Sequence, residues 1–386
     1  MGCYSIPSND PLAIRPNILF IFLPMKALYT GSFDPLTRGH LDIIKRACGI
    51  FPKITIGVGD NPAKQYMFDR EERIALIRET LDITGFTHVE VCAVDGLTID
   101  FAKLQGFTHL IKGARNGQDF DYERLLHDIS LTQQLGIETV LLFADPKLNN
   151  VSSSTAKELA RHQGLIHEFV TLNIKAAIEK KLGQTIIGVT GTIGAGKSSL
   201  CKMLAGHFAN AHHVNLDALS REVLEGNTPL AIQTQARVEA HFGTRDRKKL
   251  GHIVFQNAEA LKQLNEFSRD GLLTLLRLDL AKRRGLVFIE GALLAELNWL
   301  HVCCNRVILV REPEGAAYVQ RLLARGLSQE QIATRRASQY TFARKEEVIR
   351  EAIVHDGFGK LIIHQSNDTG SNEVATAHTL QKAFLE

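Results

Sequence analysis

The chain has 386 residues, enough for two ordinary domains that each bury a core of their own. Apolar residues make up 45% and charged residues 23%, which excludes a disordered or fibrous chain, and a formal net charge of +3 is too small to argue for a nucleic-acid or membrane partner. No apolar run approaches the roughly 20 residues of a membrane span, and the six cysteines form no C-x-x-C pair or disulfide-like framework, so reduced thiols and a cytoplasmic setting are expected.

Residues 1–24 read as a disordered extension. Their apolar run at 18–23 has only Arg15 as a basic residue before it and no small-residue cleavage site after it, and Met25 opens the folded chain. From there strands and helices alternate. A strand at 26–30 runs into Tyr29-Thr30-Gly31-Ser32-Phe33-Asp34-Pro35-Leu36-Thr37-Arg38-Gly39-His40, a glycine-containing turn that ends on an imidazole at the start of a helix over 39–50. A strand at 53–58 follows, and Asp69 with Glu72 makes a capping-box start for a helix through Ile74, Ile77 and Leu81. Next come a strand at 89–94, a helix at 99–105, and a strand at 109–111 that enters Lys112-Gly113-Ala114-Arg115. A helix at 120–135, a strand at 138–143, a helix opened by Ser152-Ser153-Ser154 and one more at 173–182 complete this half. Short strands alternating with helices imply an α/β doubly wound parallel sheet, whose ligands sit beyond the carboxyl ends of the strands.

The polar Gly183-Gln184 step is the expected boundary, giving domains over 25–182 and 184–386. Beyond it a strand at 185–190 leads into Gly191-Thr192-Ile193-Gly194-Ala195-Gly196-Lys197-Ser198, with Ser199 next in the helix. This fits G-x-x-x-x-G-K-[ST], the P-loop: its backbone N–H groups close around phosphate oxygens, Lys197 reaches the β- and γ-phosphates, and Ser198 meets Mg²⁺. Strands are expected at 286–289 and 306–310, with Glu290 ending the first as a Walker-B-like metal ligand. Residues 311–345 read as helical and arginine-rich, Arg321, Arg325 and Arg335 being candidates for a lid over phosphates; a last helix begins near Asn372. One chain with two such turns implies two nucleotide-using sites.

Residues 25–181 resemble bacterial phosphopantetheine adenylyltransferases. The shared blocks are Tyr29 to Pro35, Thr37-x-Gly39-His40, Asn61-Pro62-Ala63-Lys64, Lys112-Gly113-x-Arg115-x-x-x-Asp119-Phe120-x-Tyr122-Glu123, and Ser152-Ser153-Ser154 with Arg161-His162-Gln163-Gly164. The second half resembles dephospho-CoA kinase through the P-loop, Asp217-x-x-x-Arg221-x-Val223-x-Glu225, Glu290-x-x-Leu293-Leu294-x-Glu296, and Arg325-Gly326-Leu327-Ser328 leading to Gln339. In that order the two would give the last two steps of coenzyme A synthesis, with ATP, 4′-phosphopantetheine and dephospho-CoA as substrates and Mg²⁺ accompanying ATP.

The resemblance implies roles. His40 would stabilise the charge that develops on the α-phosphate, and Ser32 would bridge the reacting phosphates. Lys64, Thr98 and Lys112 would hold phosphopantetheine. Phe33, Gly113, Ala114, Arg115, Glu123 and the loop Leu148, Asn149, Asn150, Val151, Ser152, Ser153, Ser154 would hold ATP. Asp217 would be the general base for the acceptor hydroxyl in the second half. Departures from the families are lysine for arginine at Lys112, serine for threonine at Ser32, Asn215 for an acid, Ala292 for a proline, and Arg269-Asp270 for His-Pro. Two alternatives stay open here: a second half that binds nucleotide only as a regulatory or scaffolding module, and a pyridine-nucleotide enzyme of the same domain pairing. The family often forms hexamers, so a homo-oligomer is a further expectation.

Overall fold

A computed structural model describes residues 25–312, 316–324, 326–365 and 371–385. The extension expected at 1–24 lies outside the described residues. The first half runs β1 (Lys26–Gly31), α1 (Arg38–Cys48), β2 (Lys53–Gly59), α2 (Arg70–Ile83), β3 (Glu90–Val94), α3 (Thr98–Leu104), β4 (His109–Ala114), α4 (Gly117–Leu131), β5 (Glu138–Phe143), α5 (Ser153–Arg161) and α6 (Leu172–Lys181). Its five parallel strands lie in the order β3-β2-β1-β4-β5. Alternation along β1 divides the core: Ala27 and Tyr29 face one layer with Ile43, Ile44 and Ile77, while Leu28 faces the other with Ile99, Leu110 and Ile137.

Local signals set the helix ends. Asp69 accepts from Glu72 N and the Glu72 carboxylate accepts from Asp69 N, the expected capping box on α2. Thr37 and His40 form a second one on α1. β4 extends to Ala114, three residues past the sequence expectation, because Lys112, Gly113 and Ala114 pair with Leu141, Leu142 and Phe143 of β5. That ladder is long-range and leaves no local mark.

The second half runs β6 (Gln184–Gly191), α7 (Lys197–His207), β7 (Ala211–Asn215), α8 (Leu216–Glu225), α9 (Pro229–Phe242), α10 (Arg247–Gln256), α11 (Ala258–Ala281), β8 (Gly285–Glu290), β9 (Arg306–Arg311), α12 (Ala316–Ala324), α13 (Gln329–Ala337), α14 (Phe342–Asp356), β10 (Lys360–Gln365) and α15 (Ser371–Leu380). Its sheet is also parallel, in the order β10-β9-β6-β8-β7. The arginine-rich stretch is not one helix. Ser328 and Thr341 each cap a new one, and Gly326 turns the chain at φ +81° between α12 and α13. No helix among the described residues is long and apolar enough to cross a membrane.

The halves meet through α6. Leu172 and Ala176 pack on Cys304, and the buried Lys175 ammonium pairs with Glu179 and donates to the Val302 carbonyl at 2.9 Å. Burial alone would lower the Lys175 pKa, but Cys304 and Glu179 outweigh it and hold the ammonium above its ordinary value. Breaking such a pair leaves one charge buried alone. Lys175→Ala should therefore cost about 3–5 kcal/mol in denaturant unfolding, whereas Lys175→Met with Glu179→Leu should cost far less.

Candidate active sites

The first cleft opens where the connections from β1 and β4 diverge, at their carboxyl ends. Its volume is about 540 Å³, and it is lined by Ser32, Phe33, His40, Lys64, Lys112, Gly113, Arg115, Glu123, Val151 and Ser152 to Ser154. The strand leaves the sheet sharply here: a Cβ on Gly31 would lie 2.9 Å from the tip of the Phe33 ring, so a larger residue would displace that ring. Arg73, buried in the core, fixes the turn from below by donating to Ser32 O at 2.7 Å and Gly59 O at 3.1 Å while pairing with Asp60.

His40 sits at the third position of α1, and Thr37 N–H donates to its Nδ1 at 3.0 Å. Burial first, and the nearby Arg115 charge second, push its pKa down to about 4. The imidazole is thus neutral at pH 7, with Nδ1 occupied as an acceptor and its proton on Nε2, a donor for an anionic oxygen. The Arg115 guanidinium is held by Asp119 at 2.8 and 3.1 Å and reaches Val151 O at 3.3 Å. The same contact keeps the Asp119 carboxyl below its usual range. Lys112 lies 3.2 Å from Glu123. Ser152 caps α5, so the N–H groups of its first turn face this end of the cleft.

The second cleft, about 390 Å³, is lined by Ile193, Gly194, Gly196, Lys197, Ser198, Asp217, Glu290, Arg335 and Gln339. Gly191 passes so close to β9 that a Cβ there would lie 2.4 Å from Val310 O. Lys197 donates to Gly191 O at 3.0 Å and Thr192 O at 2.8 Å, which holds its ammonium against the loop backbone. Ser198 Oγ donates to Glu290 Oε1 at 2.5 Å, and Asn215 Nδ2 donates to Oε2 at 2.8 Å. His213 Nε2 lies 2.8 Å from that same Oε2. Burial raises the Glu290 pKa, but the hydrogen bonds from His213 and Ser198 and the charge of Lys197 outweigh it and keep a carboxylate. Cys201, His213 and Glu290 bring ligand atoms within 4.8 Å of one another, yet burial lifts the Cys201 thiol well above its ordinary value and leaves it protonated. Ser198 and Glu290 offer hard oxygens at the foot of a phosphate loop, a donor set that suits Mg²⁺ better than a thiophilic metal.

A family model described as cytidylyltransferase-like matches residues 28–159, and one described as dephospho-CoA kinase matches residues 185–357. The phosphopantetheine adenylyltransferase of Prochlorococcus marinus is 42% identical over 158 residues, which is 41% of this chain and 99% of the relative. The chain belongs to the phosphopantetheine adenylyltransferase family. The adenylyltransferase of Leuconostoc mesenteroides is 46% identical over 133 residues, 34% of this chain and 80% of the relative. The solved structure of TT1252 from Thermus thermophilus aligns with 52% of this chain and 97% of its own, at 26% identity and a TM-score of 0.42. The adenylyltransferase is here fused to a dephospho-CoA kinase domain.

Thr98 begins α3, and Thr98, Ala114, Leu148, Asn149 and Asn150 are not among those lining the first cleft. In the kinase half Gly191, Thr192, Ala195 and Ser199 are not among those lining the second cleft. The arginine lid rests partly on Arg325 and on the Arg321 side chain, which lie outside the described residues; Arg335 lines the cleft. Glu296 is occupied by Lys345 and by Tyr340 N–H at 2.9 Å. Arg269 lines a neighbouring cavity of about 690 Å³ with Lys262 and Glu296.

Sequence reading gave no role to Asp34 or Lys157, yet both line the first cleft. Asp34 is buried, accepts from Phe68 N at 3.0 Å and pairs with Lys157. The position of Lys157 one helical turn after Ser153 was the available signal.

The neutral His40 makes a pH prediction. Its folded pKa is below the unfolded one, so between about 6.5 and 4 the unfolded chain binds a proton that the folded chain refuses. Stability should fall as pH drops through that window and level off below it. His40→Gln, which keeps an acceptor for Thr37, should remove about 1–3 kcal/mol of that dependence in urea titrations at stepped pH.

Proposed function

We propose that the chain performs the last two steps of coenzyme A synthesis, with an adenylyltransferase over 25–182 and a kinase over 184–386, in the cytoplasm where both would draw on Mg²⁺ and ATP. The observation that carries this reading is a neutral imidazole of fixed tautomer facing the same cleft as Ser32, Lys64, Lys112 and Arg115.

In the first step a 4′-phosphate oxygen of phosphopantetheine attacks the α-phosphorus of ATP, and the bond to pyrophosphate breaks in line. The nucleophile is already an anion, so positioning and charge neutralisation do the work. His40 Nε2–H donates to the α-phosphate as charge builds on it. Lys64 and Lys112 hold the incoming phosphate, Ser32 bridges, and Arg115 with the N–H groups at Ser152 to Ser154 takes the polyphosphate. Glu123, across from Lys112, keeps that ammonium extended until phosphate displaces it.

In the second step the ribose 3′-hydroxyl of dephospho-CoA attacks the γ-phosphorus of a second ATP, its proton passing to Asp217 as ADP leaves. Mg²⁺ bound with ATP would neutralise phosphate charge here, and Ser198 and Glu290 are the residues that would hold it. Lys197 exchanges its two carbonyl partners for phosphate oxygens. Asp217, in the first turn of α8, faces the cleft beside Lys197 and Ser198.

The test is a two-stage assay with phosphopantetheine and ATP that resolves dephospho-CoA from CoA. Both should form. His40→Ala should lower kcat for the first product by about a hundredfold or more while leaving KM nearly unchanged, since its contact belongs to the transition state. Asp217→Asn should stop CoA but not dephospho-CoA and leave ATP affinity in place. A full chain that accumulates dephospho-CoA and never makes CoA would favour a regulatory second half.

A further inference from the structure

The Glu290 carboxylate in the second cleft is held by three side chains, and these partners divide its two oxygens. Oε1 meets Ser198, while Oε2 receives Asn215 and His213. An ionised carboxylate only accepts hydrogen bonds, so at 2.8 Å the His213 ring donates to Oε2 through Nε2–H. Strand register explains the grouping. β7 and β8 are parallel with Asn215 opposite Glu290, and His213, two residues earlier, lies on the same face as Asn215. The Asn215 amide is engaged at both ends: Oδ1 caps α8 by accepting from Ala218 N at 3.0 Å, which turns Nδ2 toward Glu290. An aspartate could make the same cap but would set a second anion against a buried one.

We infer that His213 is a positioning residue for phosphoryl transfer, which together with Asn215 pins Glu290 Oε2 so that Oε1 stays beside the Ser198 hydroxyl at the metal-facing end of the P-loop. This rests on the kinase reading above. Without His213, Oε2 loses one of two donors in a site that is only 5% exposed, and the carboxylate can turn away from Ser198. Outer partners of this kind typically tune metal affinity by about 10- to 100-fold.

The test uses the full chain with His213→Ala, His213→Gln, and Lys197→Ala as the marker for binding that belongs to the first half. Calorimetric titration with ADP at graded Mg²⁺ should show that His213→Ala needs about tenfold more Mg²⁺ for half-maximal binding at the second site. CoA formation should show the same shift with a lower kcat and an unchanged KM for dephospho-CoA, and dephospho-CoA formation should not change. His213→Gln, which keeps an N–H donor, should recover most of the Mg²⁺ response. An unchanged Mg²⁺ requirement in His213→Ala would overturn the inference, as would a His213→Gln chain as impaired as the alanine variant. If the wild-type chain makes no CoA, the kinase reading fails, while the Mg²⁺ dependence of ADP binding still decides the role of His213.

Discussion

Everything chemical in this chain is hung from the carboxyl end of a central parallel strand. In each sheet the chain returns to opposite sides of one strand, β1 or β6, so the loops beyond it part and leave a crevice. That geometry imposes a steric demand, because the backbone must leave the sheet while neighbouring atoms press on it. Gly31 beneath the Phe33 ring and Gly191 against Val310 O meet the demand in the two halves. Once the strand exits cleanly, the following helix points its N–H groups into the crevice, and His40 or Ser198 arrives with it.

The two crevices then use buried charge differently. In the first, three cations are each paired with a carboxylate: Arg115 with Asp119, Lys112 with Glu123, Lys157 with Asp34. A polyphosphate entering there competes with carboxylates already in place, which favours highly charged ligands over singly charged ones. In the second, the Glu290 carboxylate is held by the Ser198 hydroxyl, the Asn215 amide and the His213 ring, and the P-loop lysine is satisfied by carbonyls.

The parts legible in the sequence are those whose signal is local. The turn from Tyr29 to His40, the P-loop, the caps at Asp69 and Ser152, and the alternation that predicts parallel sheets all lie within a dozen residues. What was hidden depends on strand register. The extension of β4 to Ala114 needs β5 beside it, and the short strands β7 and β10 have no clear alternation of their own. Asn215 looked like an eroded acid because its partner, Glu290, lies 75 residues away in sequence and directly across a ladder in space. Arg73 carries no local signal: nothing nearby in sequence announces that it is buried under the Ser32 turn.

Asn215 has one further implication. The same amide caps the helix that carries Asp217 and fastens the Glu290 carboxylate beside Ser198. In the proposed kinase mechanism the acceptor side and the donor side of the transfer thus share one side chain. Any displacement of α8 would be passed to Glu290 through that side chain, so errors in their two positions would be correlated rather than independent. What matters for an in-line displacement is the separation between the groups that meet the incoming and outgoing oxygens, and correlated displacement preserves that separation even while both groups move.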